Sequence, residues 1–275
     1  MLNDIIYIRN NMLYGTIFGD IAGSTYEFRA CKNYKFTTVP EKSHFTDDTV
    51  MTLAVANWLM EDPNDMSILV REMQFFGNRY PKAGYGGMFR KWLVAEDPKP
   101  YNSFGNGSAM RVSPCAWFAK TLHEAETLAE SSAIVTHNHP EGIKGAQAVA
   151  AAIYLAKIGS SKEFIKDYIE TAYGYNLSRT IQEIKDSGYD FDSTCQGSVP
   201  ESIIAFLESD DFEDCIRKAI WLGGDADTQA AIAGSIAEAY YGRVPGQFIG
   251  VVEKKLDAYL LSVLNKFNNF INRYE

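Results

Sequence analysis

The sequence lacks the features of a secreted, membrane-spanning or nucleic-acid-binding protein. Its four cysteines are scattered over 275 residues without a C-x-x-C pair, which argues against a disulfide framework and against a zinc site. No apolar run approaches the length of a membrane-spanning helix. The net charge is −9 without a basic patch, which argues against general binding to nucleic acids or membranes. Residues 1–11 are too polar for a signal peptide, so a cytoplasmic protein is expected.

Two common catalytic and nucleotide-binding motifs are also missing. The sequence contains neither a G-x-S-x-G nucleophile elbow nor the Gly-Lys-Ser/Thr ending of a Walker loop. Strand-like alternation is scarce, whereas apolar residues recur at helical spacing along most of the chain. Because no linker or low-complexity tract interrupts this pattern, residues 1–275 are expected to form a single, mostly α-helical domain.

The helical spacing predicts where most helices begin and end. Among the predicted helices are residues 14–28, 108–119, 162–173, 178–185, 200–208, 212–222 and 250–273. The first carries Gly15, Gly19 and Gly23 on one side. Since glycine weakens a helix, this stripe indicates the close approach of a neighbouring element or of a ligand.

The stretch Gly223-Gly224-Asp225-Ala226-Asp227-Thr228 places two carboxylates and a hydroxyl where an apolar helix begins. Free N–H groups and the helix dipole favour acids at this position, so simple helix capping is one explanation. The other explanation is a site for Mg²⁺, Mn²⁺ or Ca²⁺, since these cations prefer oxygen ligands.

A second stretch repeats this combination near the other end of the chain. Phe45-Thr46-Asp47-Asp48-Thr49 again places two acids between hydroxyl groups at the start of an apolar helix. Two such clusters facing each other would form an all-oxygen cage for two cations. Cages of this kind hold and activate small oxygen ligands, so the repetition favours the metal site over two unrelated helix caps.

Two further acids belong to the first predicted helix. Asp20 and Glu27 are seven residues apart and are therefore expected on one helix face. For Asp20 the alternative is a buried acid that bonds nearby backbone, and for Glu27 it is an ordinary surface residue. Near a metal pair, Glu27 would instead orient water or a sugar hydroxyl.

Two other stretches carry candidate ligand-binding groups. Gly105-Asn106-Gly107-Ser108 is predicted to be a tight turn that opens a helix, with N–H groups suited to a phosphate or ribose oxygen. The alternative is a plain Asn-Gly turn with a serine cap. His137 precedes a helix and is interpreted as a hydrogen-bonding contact to substrate, with a buried structural histidine as a near-equal alternative.

Taken together, the sequence resembles the ADP-ribosylglycohydrolases. The matching blocks occur in the family's order and run from Gly15 to Gly242. They are GTIFGDIAGSTYEF (15–28), FTDDTVMTLAVA (45–56), GNGSAMRVSP (105–114), THNHPEGIKGAQAVA (136–150) and GGDADTQAAIAGSIAEAYYG (223–242).

The resemblance implies a compact, orthogonal all-α bundle around a cleft with two Mg²⁺ ions, for which Mn²⁺ is the alternative. It implies six metal ligands, which are Thr46, Asp47, Asp48, Asp225, Asp227 and Thr228. It also implies that Glu27 lies near the metals and the substrate. The residues that match ADP-ribose contacts are Gly105, Asn106, Gly107, Ser108 and His137. The loop 84–87 matches a segment that covers the diphosphate.

The implied reaction is hydrolysis of the bond between C1 of the distal ribose of ADP-ribose and an acceptor. Positive charge builds on the sugar as this bond breaks, and Asp48, Glu27 or a neighbouring acid would stabilise it and accept a proton from water. The implied partner is an ADP-ribosylated protein or a small ADP-ribose adduct. The alternative functions are a non-catalytic binder of ADP-ribose or nucleotides and a metal-dependent phosphohydrolase.

Overall fold

The computed structural model describes residues 11–29, 31 and 33–274. These residues form helices without any β-strand, and one isolated antiparallel bridge joins Gly105 to Thr194. The prediction of an all-α fold is therefore confirmed. In chain order the helices are α1 (Tyr14–Gly23), α2 (Asp47–Glu61), α3 (Met66–Arg79), α4 (Gly87–Leu93), α5 (Ser113–Phe118), α6 (Leu122–Ile134), α7 (Pro140–Lys157), α8 (Lys162–Tyr173), α9 (Ile181–Asp186), α10 (Cys195–Leu207), α11 (Phe212–Leu222), α12 (Ala226–Tyr241), α13 (Gly246–Lys255) and α14 (Ala258–Tyr274), with a 3₁₀ turn at Asn106–Ser108.

Helix α12 lies at the centre of the bundle. Every residue from Ala226 to Ala239 is buried, polar ones included, so the helix is surrounded by other parts of the chain. The buried apolar side chains of the described residues form one continuous cluster around it. The start of α12, and with it the predicted acids, is thus held by packing on several sides.

Helix α1 packs directly on the backbone of α12 through the predicted glycine stripe. A Cβ atom at Gly19 would lie 2.0 Å from the carbonyl oxygen of Ala230. A Cβ atom at Gly15 or at Gly23 would likewise lie 2.3 Å from a carbonyl oxygen of the same helix. No side chain fits at such distances, so the stripe permits the approach of a neighbouring helix, one of the two alternatives considered above.

The first predicted helix was too long at its C-terminus. Helix α1 ends at Gly23 instead of residue 28. The Ser24 hydroxyl donates to the carbonyl oxygen of Ile21 at 2.9 Å, and such a local bond competes with helix continuation. Glu27 therefore lies in a turn, and the expectation that it shares a helix face with Asp20 is wrong.

The predicted helix over 250–273 is two helices, α13 and α14. The Asp257 carboxylate accepts the N–H groups of Tyr259 and Leu260, each at 2.9 Å. An aspartate that binds these N–H groups starts a new helix, and this local signal interrupts an otherwise continuous apolar stripe.

Three other predicted boundaries differ from the structure, while 162–173 and 212–222 coincide with α8 and α11. Helix α10 begins at Cys195, five residues before the predicted start at Pro200, because Thr194 caps it by accepting the Gly197 N–H. The predicted helix over 108–119 is reduced to α5, which follows the 3₁₀ turn. The predicted helix over 178–185 begins three residues later, as α9.

Within the described part of the chain, no helix combines the length and hydropathy needed to cross a bilayer.

Candidate metal centre and substrate cleft

The start of α2 is capped by an acid from another helix. The buried Asp20 carboxylate of α1 accepts the Thr46 N–H at 2.9 Å and the Thr49 N–H at 3.1 Å. It also accepts both threonine hydroxyls, that of Thr46 at 2.6 Å. Asp20 thus satisfies N–H groups that the first turn of a helix leaves open. Helix capping therefore does not explain Asp47 and Asp48, whose carboxylates remain available for another role.

The start of α12 is built differently. Gly223 and Gly224, with φ values of 78° and 107°, turn the chain into the helix in a conformation that favours glycine. Asp225 occupies the N-cap position, but its carboxylate accepts no backbone N–H from its own helix. It accepts one from the Asn106 side-chain amide at 2.7 Å. Capping does not account for this acid either.

The two helix starts face each other, as the repeated pattern predicts. The Thr228 hydroxyl of α12 donates to Asp48 Oδ2 of α2 at 3.2 Å. Two acid groups result. The first joins Asp20, Asp48 and Asp227, and the second joins Glu27, Asp225 and Asp227; in each, one carboxylate oxygen per residue lies within 4.8 Å of the others. Asp227 belongs to both groups, so they are adjacent.

The electrostatics of these groups favour bound cations. Burial, followed by the charge of neighbouring carboxylates, raises the pKa of Asp47, Asp48 and Asp227 well above the ordinary range. Burial also raises the pKa of Asp225 to about 6 and that of Glu27 to about 8. Each shift reports that the ionised carboxylates are poorly solvated and repel one another, and positive charge between them would relieve both effects.

The acid groups open onto a cavity of about 750 Å³. Most of the predicted site residues line it; these are Glu27, Asp47, Asp48, Gly105, Asn106, Gly107, His137, Asp225, Asp227 and Thr228. Thr46 and Ser108 are buried and are not part of this lining. The Thr46 hydroxyl donates to Asp20, and the Ser108 hydroxyl donates to the Gly142 carbonyl oxygen at 2.7 Å.

The glycine-containing turn forms part of the cavity wall beside Asp225, and it does not open an α-helix. Its Asn106 N–H donates to the Ser193 carbonyl oxygen at 2.8 Å. The Gly107 N–H has no acceptor among the described residues. Only part of the predicted set of N–H groups is therefore available to a ligand.

His137 lies beside this turn and is nearly buried. Its Nε2 would be 3.2 Å from a Cβ at Gly107, and its Nδ1 lies 2.7 Å from the Thr136 hydroxyl. Burial and the charge of Arg111 lower its pKa well below the ordinary range. The imidazole is thus neutral, with one nitrogen held by Thr136 and the other directed toward the turn.

A flexible-looking stretch of the sequence forms another part of the cavity wall. Gly84, Gly86 and Gly87 line it, together with Met88 and Lys91 of α4. Gly84 has a φ of 110°, and a Cβ there would lie 2.9 Å from Asp47 Oδ1. This loop therefore approaches the acid groups closely at Gly84.

Several residues of the site were not identified from the sequence. The Arg111 guanidinium is fully buried and donates to the Ser132 carbonyl oxygen at 2.6 Å and to the Thr136 hydroxyl at 2.9 Å. Half-exposed Phe104 and Phe191 border the cavity. Arg111 could have been identified, because it is the charged residue within the block 105–114. Nothing in the local sequence distinguishes Phe191 from other aromatic residues.

Comparison with known proteins decides the family. A model of the ADP-ribosylglycohydrolase family matches residues 10–271. This chain belongs to the ADP-ribosylglycohydrolase family. The resemblance found in the sequence is confirmed, and so is the prediction that this ADP-ribosylglycohydrolase is a hydrolase.

Individual relatives agree with this assignment. ADP-ribosylhydrolase ARH3 of Homo sapiens is 28% identical over 308 residues, which cover 84% of this chain and 84% of the relative. ADP-ribosylarginine hydrolase Tri1 of Pseudomonas putida (strain GB-1) is 29% identical over 271 residues, covering 84% and 69%. A solved "ADP-ribosylglycohydrolase-related protein complex" aligns with a TM-score of 0.71 at 24% identity, covering 95% of this chain and 98% of that one; it supports the fold.

Proposed function

We propose that this ADP-ribosylglycohydrolase hydrolyses the bond between C1 of the distal ribose of an ADP-ribosyl adduct and its acceptor, with the help of divalent cations. The observation that carries the proposal is the pair of acid groups sharing Asp227 at one end of an open cavity. Relatives named for hydrolysis of ADP-ribosyl adducts support the choice of substrate.

The acid groups fit divalent cations on their own chemistry. Asp48 Oδ1 is buried and has no hydrogen-bond partner within the described residues, and a buried carboxylate oxygen without a partner is costly. We propose Mg²⁺, with Mn²⁺ as the alternative, at two positions. The proposed ligands are Thr46, Asp47, Asp48, Asp225, Asp227 and Thr228. When bound, the cations would supply charge stabilisation to oxygen atoms of the substrate and of water.

The chain's own residues would handle the proton. Glu27 lines the cavity and belongs to the acid group with Asp225 and Asp227, both of which are more buried than Glu27. It is therefore the acid best placed to accept a proton from an attacking water, as a general base. Asp48 is buried between the two helix starts, where its negative charge would stabilise the cationic sugar.

The part of the cavity wall formed by the turn 105–108 and His137 would hold the remainder of ADP-ribose. The Gly107 N–H is available to an anionic oxygen, and backbone N–H groups in turns suit phosphates. Arg111 donates to the Thr136 hydroxyl, so that hydroxyl can donate its own proton to His137 Nδ1. His137 Nε2–H would then donate to substrate. Gly105, Asn106 and Ser108 would shape this wall, and the loop 84–87 would cover the diphosphate.

The test is release of ADP-ribose from a panel of adducts in Mg²⁺ and in EDTA. The panel comprises ADP-ribosyl-arginine and ADP-ribosyl-serine peptides, O-acetyl-ADP-ribose and ADP-ribose 1″-phosphate. Metal-dependent release of intact ADP-ribose from one substrate is expected and would name the acceptor. Binding of ADP-ribose without any release would favour a binder, and release of inorganic phosphate from nucleotides would favour a phosphohydrolase.

A further inference from the structure

The Asn106 side chain is committed to the protein. Its amide nitrogen donates to Asp225 Oδ2 at 2.7 Å and to the Ser198 hydroxyl at 3.1 Å. A side-chain amide carries two N–H donors, so both are used within the chain. Asn106 is 6% exposed, and its amide has no donor left for a ligand.

The backbone around Asn106 fixes where this amide lies. Its N–H donates to the Ser193 carbonyl oxygen at 2.8 Å, and its own carbonyl accepts the N–H groups of Ala109 and Met110 at 2.8 and 3.0 Å. The bridge between Gly105 and Thr194 joins the same two segments. The Ser198 hydroxyl in turn donates to the Thr194 carbonyl oxygen. The amide is therefore held at both its backbone and its far end.

Asp225 needs an external partner of this kind. It lies before the first turn of α12, and its carboxylate takes no backbone N–H from that helix. The preceding Gly224 has a φ of 107°, in the region that favours glycine. The fixed N–H donor of Asn106 at Asp225 Oδ2 restricts the orientation of the whole carboxylate.

We propose that Asn106 is a positioning residue that orients the Asp225 carboxylate for metal binding, and that Ser198 holds the Asn106 amide in place. The two N–H donors of the Asn106 side chain are then not contacts to substrate. The inference rests on the proposed function in that Asp225 is taken to be a metal ligand. Partners that orient ligating carboxylates typically change metal affinity by about 10- to 100-fold when removed.

The experiment is a Mn²⁺ titration of the full chain without substrate, followed by electron paramagnetic resonance. Asn106→Ala is expected to weaken Mn²⁺ binding by about 10- to 100-fold. Asn106→Gln, which keeps the amide but shifts it by one methylene, is expected to weaken binding in the same direction and serves if the alanine variant fails to fold. Ser198→Ala removes only the outer bond and is expected to produce a smaller loss.

A second readout separates positioning from substrate contact. At saturating Mn²⁺, the KM of Asn106→Ala for an ADP-ribosyl substrate is expected to change by a smaller factor than the affinity for Mn²⁺. A raised KM with unchanged Mn²⁺ affinity would overturn the inference in favour of substrate contact. A wild-type chain that bound no Mn²⁺ would overturn it together with the metal site. Intact Mn²⁺ binding without release of ADP-ribose would overturn only the proposed reaction.

Discussion

The starts of α2 and α12 carry nearly the same residues but are stabilised in different ways. At α2, one buried acid from α1, Asp20, takes the N–H groups and hydroxyls of Thr46 and Thr49. At α12, the N-cap residue Asp225 makes no cap hydrogen bond, and the first-turn Thr228 N–H donates to Asp227 Oδ1 at 3.0 Å. Asp225 itself is held by Asn106 from a separate turn. The difference shows that similar acidic motifs obtain their geometry from distant partners, one through helix capping and the other through an amide.

A second buried carboxylate extends the comparison to the other end of α12. Glu238 accepts the Tyr14 N–H at 3.1 Å and so caps α1 from outside. Helix α12 thereby supplies a cap to α1, and α1 supplies Asp20 to α2. Since α1 packs on α12 at backbone distance, the two acidic helix starts are fixed relative to each other through α1.

The largest effect is expected when the shared acid is lost. Asp227 belongs to both acid groups, so Asp227→Asn should lower kcat/KM for the best adduct on the order of 10⁴-fold, as when one member of a catalytic unit is removed. Asp48→Asn should have a comparable effect. Release of ADP-ribose measures both, and the exposed Asp167→Asn on α8 is the matched control. Wild-type activity in either site variant would contradict the account.

Removal of the α2 cap is expected to affect stability and metal binding together. Asp20→Ala leaves two N–H groups and two hydroxyls without their acceptor and should lower the free energy of unfolding by about 3 kcal/mol. Urea denaturation in EDTA measures this loss, with Asp167→Ala as control. Mn²⁺ affinity should fall as well, because Asp47 and Asp48 lose their fixed helix start. If Asp20→Ala lowered neither the free energy of unfolding nor the affinity for Mn²⁺, Asp20 would not be the cap that holds the start of α2.

Separation of α1 from α12 is expected to have a smaller effect. Gly19→Ala places a Cβ 2.0 Å from the Ala230 carbonyl oxygen and should destabilise the fold by about 1–3 kcal/mol. The control is Gly250→Ala in α13, where a Cβ meets no atom within 4 Å. Helix propensity should make that variant slightly more stable. Equal melting temperatures for the two variants would argue against backbone-distance packing.

The smallest effect at any one step of the measurement is expected for the pH dependence of stability at Glu238, whose contribution builds up over several pH units. Burial raises its pKa to about 8 from an ordinary value of 4.5. Between these values the unfolded chain releases a proton that the folded chain retains, so stability falls as pH rises through this window. Glu238→Gln should remove up to about 1.4 kcal/mol of this fall for each pH unit. Urea denaturation of both proteins in EDTA from pH 5 to 8 measures the difference; identical slopes would refute the raised pKa.

Much of the site could be predicted because its signals are local. The pairs of acids beside hydroxyls, the glycine stripe and the apolar helices are readable within short stretches of sequence. The partners of these acids were not readable in this way. Asp20 lies 26 residues from Thr46, and Asn106 lies 119 residues from Asp225. Such pairings depend on how the helices pack, which a single sequence does not encode locally.

Several predicted helix boundaries were wrong because interactions between residues close in sequence, not distant partners, determine where these helices end. Short polar interactions overrode a continuous apolar pattern, as Ser24 does after α1 and Asp257 does before α14. The helix predicted from Pro200 begins earlier in the structure, because Thr194 caps it. The prediction of a single domain over residues 1–275 stays a prediction.

The central claim is that the two helix starts together form one metal centre, and Mn²⁺ stoichiometry tests it most directly. Titration of the wild-type chain, followed by electron paramagnetic resonance, should show two ions per chain whose signals are coupled by their proximity. Asp48→Asn in α2 and Asp227→Asn in α12 should each disturb this coupled signal. Two independent, uncoupled sites, or binding that survives both substitutions unchanged, would contradict the claim.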